Sequence, residues 1–198
     1  MYHNRNTTTK PRCAWVPIGD TLYEEYHDTE WGVPVFEDRT IFEFLVLESA
    51  QAGLSWITVL RKRENYRKAF ADFDPQKIAR FSSKKVQQLL SNSGIIRNRL
   101  KIEAAINNAQ RFLEVQKEFG TFSKYIWDFV DGKPIRNKWK KFSDLPVTTP
   151  QAEALSKDLK ERGFKFLGPT VLYAHMQATG MVNDHTVDCF RYKETKGR

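Results

Sequence analysis

Cysteine is scarce, with two in 198 residues. Cys13 and Cys189 stand near opposite ends of the chain, which argues against a disulfide framework and leaves reduced thiols or metal ligands. Long apolar runs are missing as well, since none approaches the roughly 20 residues needed to span a bilayer. The start, MYHNRNTTTKPR, has no apolar stretch of the kind a secretory signal requires. A soluble cytoplasmic protein with no membrane partner is therefore expected. Strand signals, internal repeats and low-complexity segments are also lacking. Acidic charge falls short of basic charge, 24 Asp and Glu against 32 Lys and Arg, for a formal net charge of +8. That balance favours an anionic partner without naming it. With 40% hydrophobic and 28% charged residues, the chain has enough apolar material for a core and too much for a disordered polyelectrolyte.

What is present is mostly helical periodicity. Asp20 can cap a short helix through Tyr26, and Asp38 one running from Arg39 to Gln51. Ser55 opens a third helix, with Trp56, Val59 and Leu60 on one face and Tyr66, Ala69 and Phe70 continuing it. Asp74-Pro75 and Ser82-Ser83 punctuate two shorter helices, and Gly94 ends that stretch. The longest helix is expected from Arg97 to Phe119, before Gly120. Ser123 can cap the next one, and Asp131-Gly132 turns the chain into a basic loop, Lys133 to Lys141, expected to be the least structured interior stretch. Thr149-Pro150 reads as an N-cap followed by a first-turn proline, and Gly163 ends that helix. A tight glycine-flanked connection then leads through Gly168 into an apolar helix from Val171 to Thr179. One compact all-α unit over residues 13–192 follows, with polar tails at 1–12 and 193–198.

Three constellations carry chemistry. His185 and Cys189 lie four apart, so on a helix both would leave the same face and share a metal ion. Cys13 and His27 would complete a soft, closed, tetrahedral set suited to structural Zn²⁺. The competing reading, a buried free cysteine beside an unrelated histidine, loses ground because each cysteine has a histidine within reach. Glu48 ends an apolar helix, where an ionised carboxylate is expensive unless it faces a polar site or a ligand. A solvated helix-end glutamate is the alternative. Gly53 permits a sharp turn that could push Leu54 outward, and Tyr23, Tyr26, Trp31 and Trp56 are aromatics close by in sequence that could equally be core. Finally, the hairpin carrying Gly163, Lys165 and Gly168 feeds a helix and can offer backbone N–H groups to a DNA phosphate. A plain helix–helix turn is the other reading.

Six ordered stretches carry a more specific pattern: CAWV at 13–16, YHDTEWGVP at 26–34, QAGLSWITVLRKRENYR at 51–67, GIIRNRLKI at 94–102, RGFKFLG at 162–168 and MVNDHTVDC at 181–189. In them the chain resembles the bacterial 3-methyladenine DNA glycosylase I family, within the helix-hairpin-helix DNA glycosylases. The resemblance implies an all-α helix-hairpin-helix fold with a structural zinc on Cys13, His27, His185 and Cys189 joining the two chain ends. It implies a monofunctional enzyme, since no lysine matches a strand-cleaving nucleophile. The enzyme would flip 3-methyladenine out of double-stranded alkylated DNA and hydrolyse its N-glycosidic bond, leaving an abasic site and free 3-methyladenine. Carried over by position, Glu48 is the carboxylate that acts on the base, Tyr26 and Trp56 contact the base, and Tyr23 and Trp31 are pocket walls. Gly53 and Leu54 would probe the gap in the duplex. A monomer is expected. The chain departs from the pattern in a longer start and in Ser49, where glycine is common. Asp184 competes with Glu48, because the wider superfamily carries a catalytic Asp near the helix after the hairpin; as a helix cap or a partner of the metal site it would be structural. A non-catalytic helical DNA-binding module is the alternative function, and a zinc-stapled interaction protein a third.

Overall fold

The computed structural model describes residues 10–195. Eleven α-helices, two short 3₁₀ helices and one two-residue strand pair are found among them. The centre is α2, Asp38–Gln51, in which every residue from Ile41 to Ala50 is buried. A helix buried all round its circumference belongs inside a molecule, and the helices Trp56–Leu60, Arg99–Phe119, Phe122–Asp128 and Pro169–Ala178 pack around this one. Its N-cap is Glu37, whose carboxylate accepts from the N–H groups of Arg39 and Thr40. Asp38, expected as that cap, serves another helix. It accepts from the backbone of Phe122 at 2.8 Å and Ser123 at 2.7 Å, at the start of α8, Phe122–Asp128. Thr121, rather than Ser123, is the N-cap of α8.

Before α2 stands α1, Thr21–Thr29, capped by Asp20. After it, the expected third helix is two, α3 at Trp56–Leu60 and α4 at Arg63–Ala69. Asp74 and Ser82 cap α5, Pro75–Ile78, and α6, Ser83–Ser91, as their spacing suggested. The long helix α7 spans Arg99–Phe119 from an Asn98 cap to Gly120. Its Phe112 packs against Phe42 of α2 and stacks on Phe122 of α8 at 4.1 Å between centroids. Lys101, also on α7, donates to the carbonyls of Ala50 at 2.8 Å and Ala52 at 2.6 Å. These are orphan acceptors at the C-terminal end of α2, and pairing them fixes the loop that follows.

The helix pair α9, Pro150–Glu161, and α10, Pro169–Ala178, packs on α2 through α10. The loop expected to be least structured is held at several points. Its β1, Ile135–Arg136, pairs in parallel with β2, Val182–Asn183. The Trp139 carbonyl also accepts from Val187 N–H at 2.9 Å. A short α11, Arg191–Glu194, closes the chain.

Parts of both expected tails are held to the fold. Pro11 accepts from Phe190 N–H at 2.9 Å, and Arg12 grips Asp28 with two bonds of 2.9 and 2.8 Å. At the other end Asn183 donates to the Thr195 hydroxyl at 2.7 Å. Residues 11–12 and 193–195 thus belong to the folded body. The remainder of the expected tails, 1–9 and 196–198, lies outside the described residues.

Candidate active site and metal cluster

A cavity of about 200 Å³ opens where α1, α2, the start of α3 and α10 converge. Tyr23 and Tyr26 enter it from α1, Glu48 and Gln51 from α2, Trp56 from α3, and Gln177 from α10. Trp15 and Trp31 form a further wall, with ring centroids 5.0 Å apart and Trp15 5.2 Å from Tyr23. Tyr26 and Trp56 lie tilted at 5.3 Å. All four aromatics singled out from the sequence therefore line one cavity. Trp15 and Gln51, within or beside the recognised motifs, were missed, as were Phe142, Ala174 and Gln177, which are brought in by tertiary structure alone.

Electrostatics separates Glu48 from the other buried acid on its helix. Glu43, equally buried, is met by Arg63 Nε at 2.7 Å and Arg67 Nη2 at 2.9 Å. Glu48 is 4% exposed and has no hydrogen-bond or ion-pair partner among the described residues. Burial pushes its carboxyl up to about 8, because the charged form has lost water and gained nothing in return. The Tyr26 phenol is pushed well above its usual range by burial and by the neighbouring Glu48. Nε1 of Trp56 is buried and also unpartnered. An aromatic cavity with a lone acid and a spare donor suits a flat, positively charged, hydrogen-bonding ligand.

Asp184 is in the opposite condition. Its carboxylate accepts from four side chains: Asn137 and Trp139 at 2.7 Å each, Gln177 at 2.8 Å, and the Tyr173 hydroxyl. It is neither a helix cap nor a ligand-histidine partner, the two structural roles considered for it. It is the buried node that ties the 133–141 loop to α10.

Cys13, His27, His185 and Cys189 converge at the meeting of the chain ends, all four buried, with their ligand atoms within 4.8 Å of one another. The helix expected under His185 and Cys189 is absent. A turn brings them together, closed by Cys189 N–H on the Thr186 carbonyl at 2.9 Å. Three sulfur–nitrogen separations, Cys13 to His185, Cys189 to His27 and Cys189 to His185, are each 3.5 Å. A tetrahedral zinc with Zn–S of about 2.3 Å and Zn–N of about 2.0 Å has S···N edges of roughly 3.5 Å. The outer nitrogens fit as well. His27 Nδ1 lies 2.8 Å from the Asp28 carboxylate and His185 Nε2 3.0 Å from the Trp31 carbonyl. Both partners only accept, so each outward nitrogen carries the proton and each inward one offers its lone pair. Gly32, at φ +78°, makes this possible, since a Cβ there would lie 2.9 Å from His185 Nε2. The cluster also backs the cavity: Trp15 sits edge-on to His27 at 5.3 Å and Trp31 to His185 at 4.6 Å.

Two further features face outward. Gly53, at φ +81°, turns the chain so that Leu54 is 43% exposed just past α2. The 162–168 hairpin is bolted to α7: Asn108 accepts from Lys165 N–H and donates to Lys165 C=O, both at 2.8 Å, and Asn107 donates to Gly163 C=O at 2.8 Å. The Lys165 N–H is therefore spent within the fold, which leaves its side-chain charge as what it can offer a phosphate. The N–H groups of Leu167, Gly168 and Thr170 have no acceptor among the described residues.

Residues 15–192 match the family model described as methyladenine glycosylase. The chain is 48% identical over 185 residues to DNA-3-methyladenine glycosylase 1 of Escherichia coli K12, covering 93% of this chain and 98% of that one. It is similar to a crystal structure of 3-methyladenine DNA glycosylase I with a TM-score of 0.88 at 50% identity, over 91% of this chain and 98% of the other. A variant of a 3-methyladenine DNA glycosylase I, solved in complex with 3-methyladenine, gives a TM-score of 0.87 at 40% identity, over 90% and 96% of the two chains.

Proposed function

Because the chain belongs to the methyladenine glycosylase family, we propose that it excises 3-methyladenine from alkylated double-stranded DNA, with the cavity around Glu48 as the site that receives the flipped base. The observation that carries this reading is a buried carboxylate left without a cation in a cage of aromatic rings. Methylation at N3 makes adenine in DNA cationic. The flipped base then supplies the positive charge that Glu48 lacks, and the Tyr26 and Trp56 faces add a cation–π gain of about 0.5–2 kcal/mol. Unmodified adenine brings no charge, so it would leave the acid uncompensated.

The same charge explains how a sparse site suffices. The bond from the sugar C1′ to N9 breaks with its electron pair going to the cationic base, which leaves neutral. Water bonds to C1′ and loses a proton to solvent. The leaving group needs no protonation, unlike a sugar alcohol. Glu48 stabilises positive charge beside the breaking bond and accepts hydrogen bonds from the base. Leu54 is read as the wedge that fills the vacated stack, and the free N–H groups at Leu167, Gly168 and Thr170, with Lys165 and the net charge, as the backbone anchor. Cys13, His27, His185 and Cys189 would hold a zinc ion whose contribution is rigidity, because four protein ligands leave it no open position. One chain supplies every pocket residue, so the monomer is taken as the working form.

Release of free 3-methyladenine from methylated duplex, read by chromatography, tests the proposal. Binding to DNA without base release would instead mark a non-catalytic module.

A further inference from the structure

The Asp184 node has a consequence for Gln177. A side-chain amide can present either its oxygen or its nitrogen to a neighbour, and the neighbour decides. Here the neighbour is a buried carboxylate with three other donors already on it. Gln177 meets it with Nε2 at 2.8 Å. The reverse orientation would set two acceptor oxygens against each other out of water. The backbone of Gln177 is pinned too, its carbonyl accepting from Gly32 N–H at 3.0 Å. One group remains: Oε1, which accepts from nothing among the described residues, on a side chain that lines the cavity.

We infer that Gln177 is a specificity-determining residue, whose side-chain carbonyl, locked in orientation by Asp184, reads an amino group on the 6-position of the bound base. The inference rests on the proposed function and extends it. A purine with an exocyclic amine offers N–H donors to this oxygen, whereas one with a carbonyl at that position sets acceptor against acceptor. A site built to pair a donor discriminates strongly against a ligand lacking it, since its own polar group is then left unpaired. Asp184 is by this argument a positioning residue, acting on the base through Gln177.

The test compares three free bases by titration against the intact protein: 3-methyladenine, 3-methylpurine, which has hydrogen in place of the amine, and 3-methylhypoxanthine, which has a carbonyl. The wild type should bind them in that order. Gln177→Met should lower affinity for 3-methyladenine about tenfold and leave 3-methylpurine unchanged, which also reports an intact pocket. Trp139→Phe removes a donor from the oxygen of Asp184 that Gln177 does not use. It should lower the melting temperature and leave the preference as it was. Equal losses for all three bases in Gln177→Met, or the same collapse of preference in Trp139→Phe, would overturn the inference by making the effect one of general loosening. If no Gln177 variant folds, the wild type still decides: equal affinity for 3-methylpurine and 3-methyladenine means that no acceptor reads the amine. Failure of the wild type to bind or release 3-methyladenine at all would instead strike the proposed function.

Discussion

At the scale of single residues, a helix carrying two buried acids shows how placement divides roles. Glu43 has two guanidinium partners and stays part of the scaffold. Glu48 has none, and its raised pKa makes the empty pocket a burden on stability. The sign follows from comparing states. Below about pH 4 the carboxyl is neutral whether the chain is folded or unfolded. Between its ordinary 4.5 and about 8 the unfolded chain ionises while the folded one resists, so stability is lost as pH rises through that window, by up to about 1.4 kcal/mol per pH unit. Glu48→Gln should therefore melt above the wild type at pH 8 and level with it at pH 4, while losing base release and capture of free 3-methyladenine together. A variant that melts below the wild type at pH 8 would show that Glu48 has a stabilising partner. Glu48 was legible in the sequence because a charged residue in an apolar run violates the pattern around it. Gln177 was not, since a lone glutamine on a helix is unremarkable until its neighbours in space are known.

Among the elements, local signals were read well and distant ones poorly. Asp74, Ser82 and Thr149 cap the helices they precede, because a cap bonds within three residues. Asp38 has the same chemistry and spends it on partners 84 and 85 positions away. Ala71, Asp72 and Phe73 run consecutively at positive φ, a conformation nothing in their identities announces. Phe73 is fully buried there and Asp72 is held by Arg39 and Arg67. Tertiary burial outweighs a local cost of about 1–2 kcal/mol per residue. The hairpin teaches a related lesson, because its shape is set by α7. Asn108→Ala should weaken duplex binding and lower stability by about 1–3 kcal/mol, the cost of stranding both backbone groups of Lys165. Free-base binding should be unaffected, and gel-shift and titration measurements together check this. On the loop after α2, Leu54→Gly should reduce excision from duplex DNA several-fold with free-base capture intact. Equal loss in both would count against a wedge.

Across the whole molecule, the Cys/His cluster and the pocket are adjoining layers. A zinc that joined the two chain ends would act on stability first. The edge contacts of Trp15 and Trp31 on His27 and His185 extend its reach to the base site. Cys189→Ala should lose bound metal by elemental analysis, lower the melting temperature markedly and also weaken 3-methyladenine binding, because the aromatic wall loses its backing. Intact affinity in a metal-free, destabilised variant would separate the two layers. The meeting of the chain ends was open to the sequence through its two cysteines, whereas the turn that carries the second pair was not, since a spacing of four fits a helix and a tight turn alike.

That meeting also sets a timetable. His185 approaches Cys13 across 172 positions, and Cys189 approaches His27 across 162. A ribosome delivers the N-terminal half of this cluster, and both tryptophans leaning on it, long before the other half exists. Trp15 finds His27 within its own segment, but Trp31 has no His185 ring to lean on until that residue is made, and a chain cut short before it has a pocket wall only half backed. His185 thus completes from one end of the fold a wall that the other end begins, and a chain clipped before it keeps Trp31 without that backing.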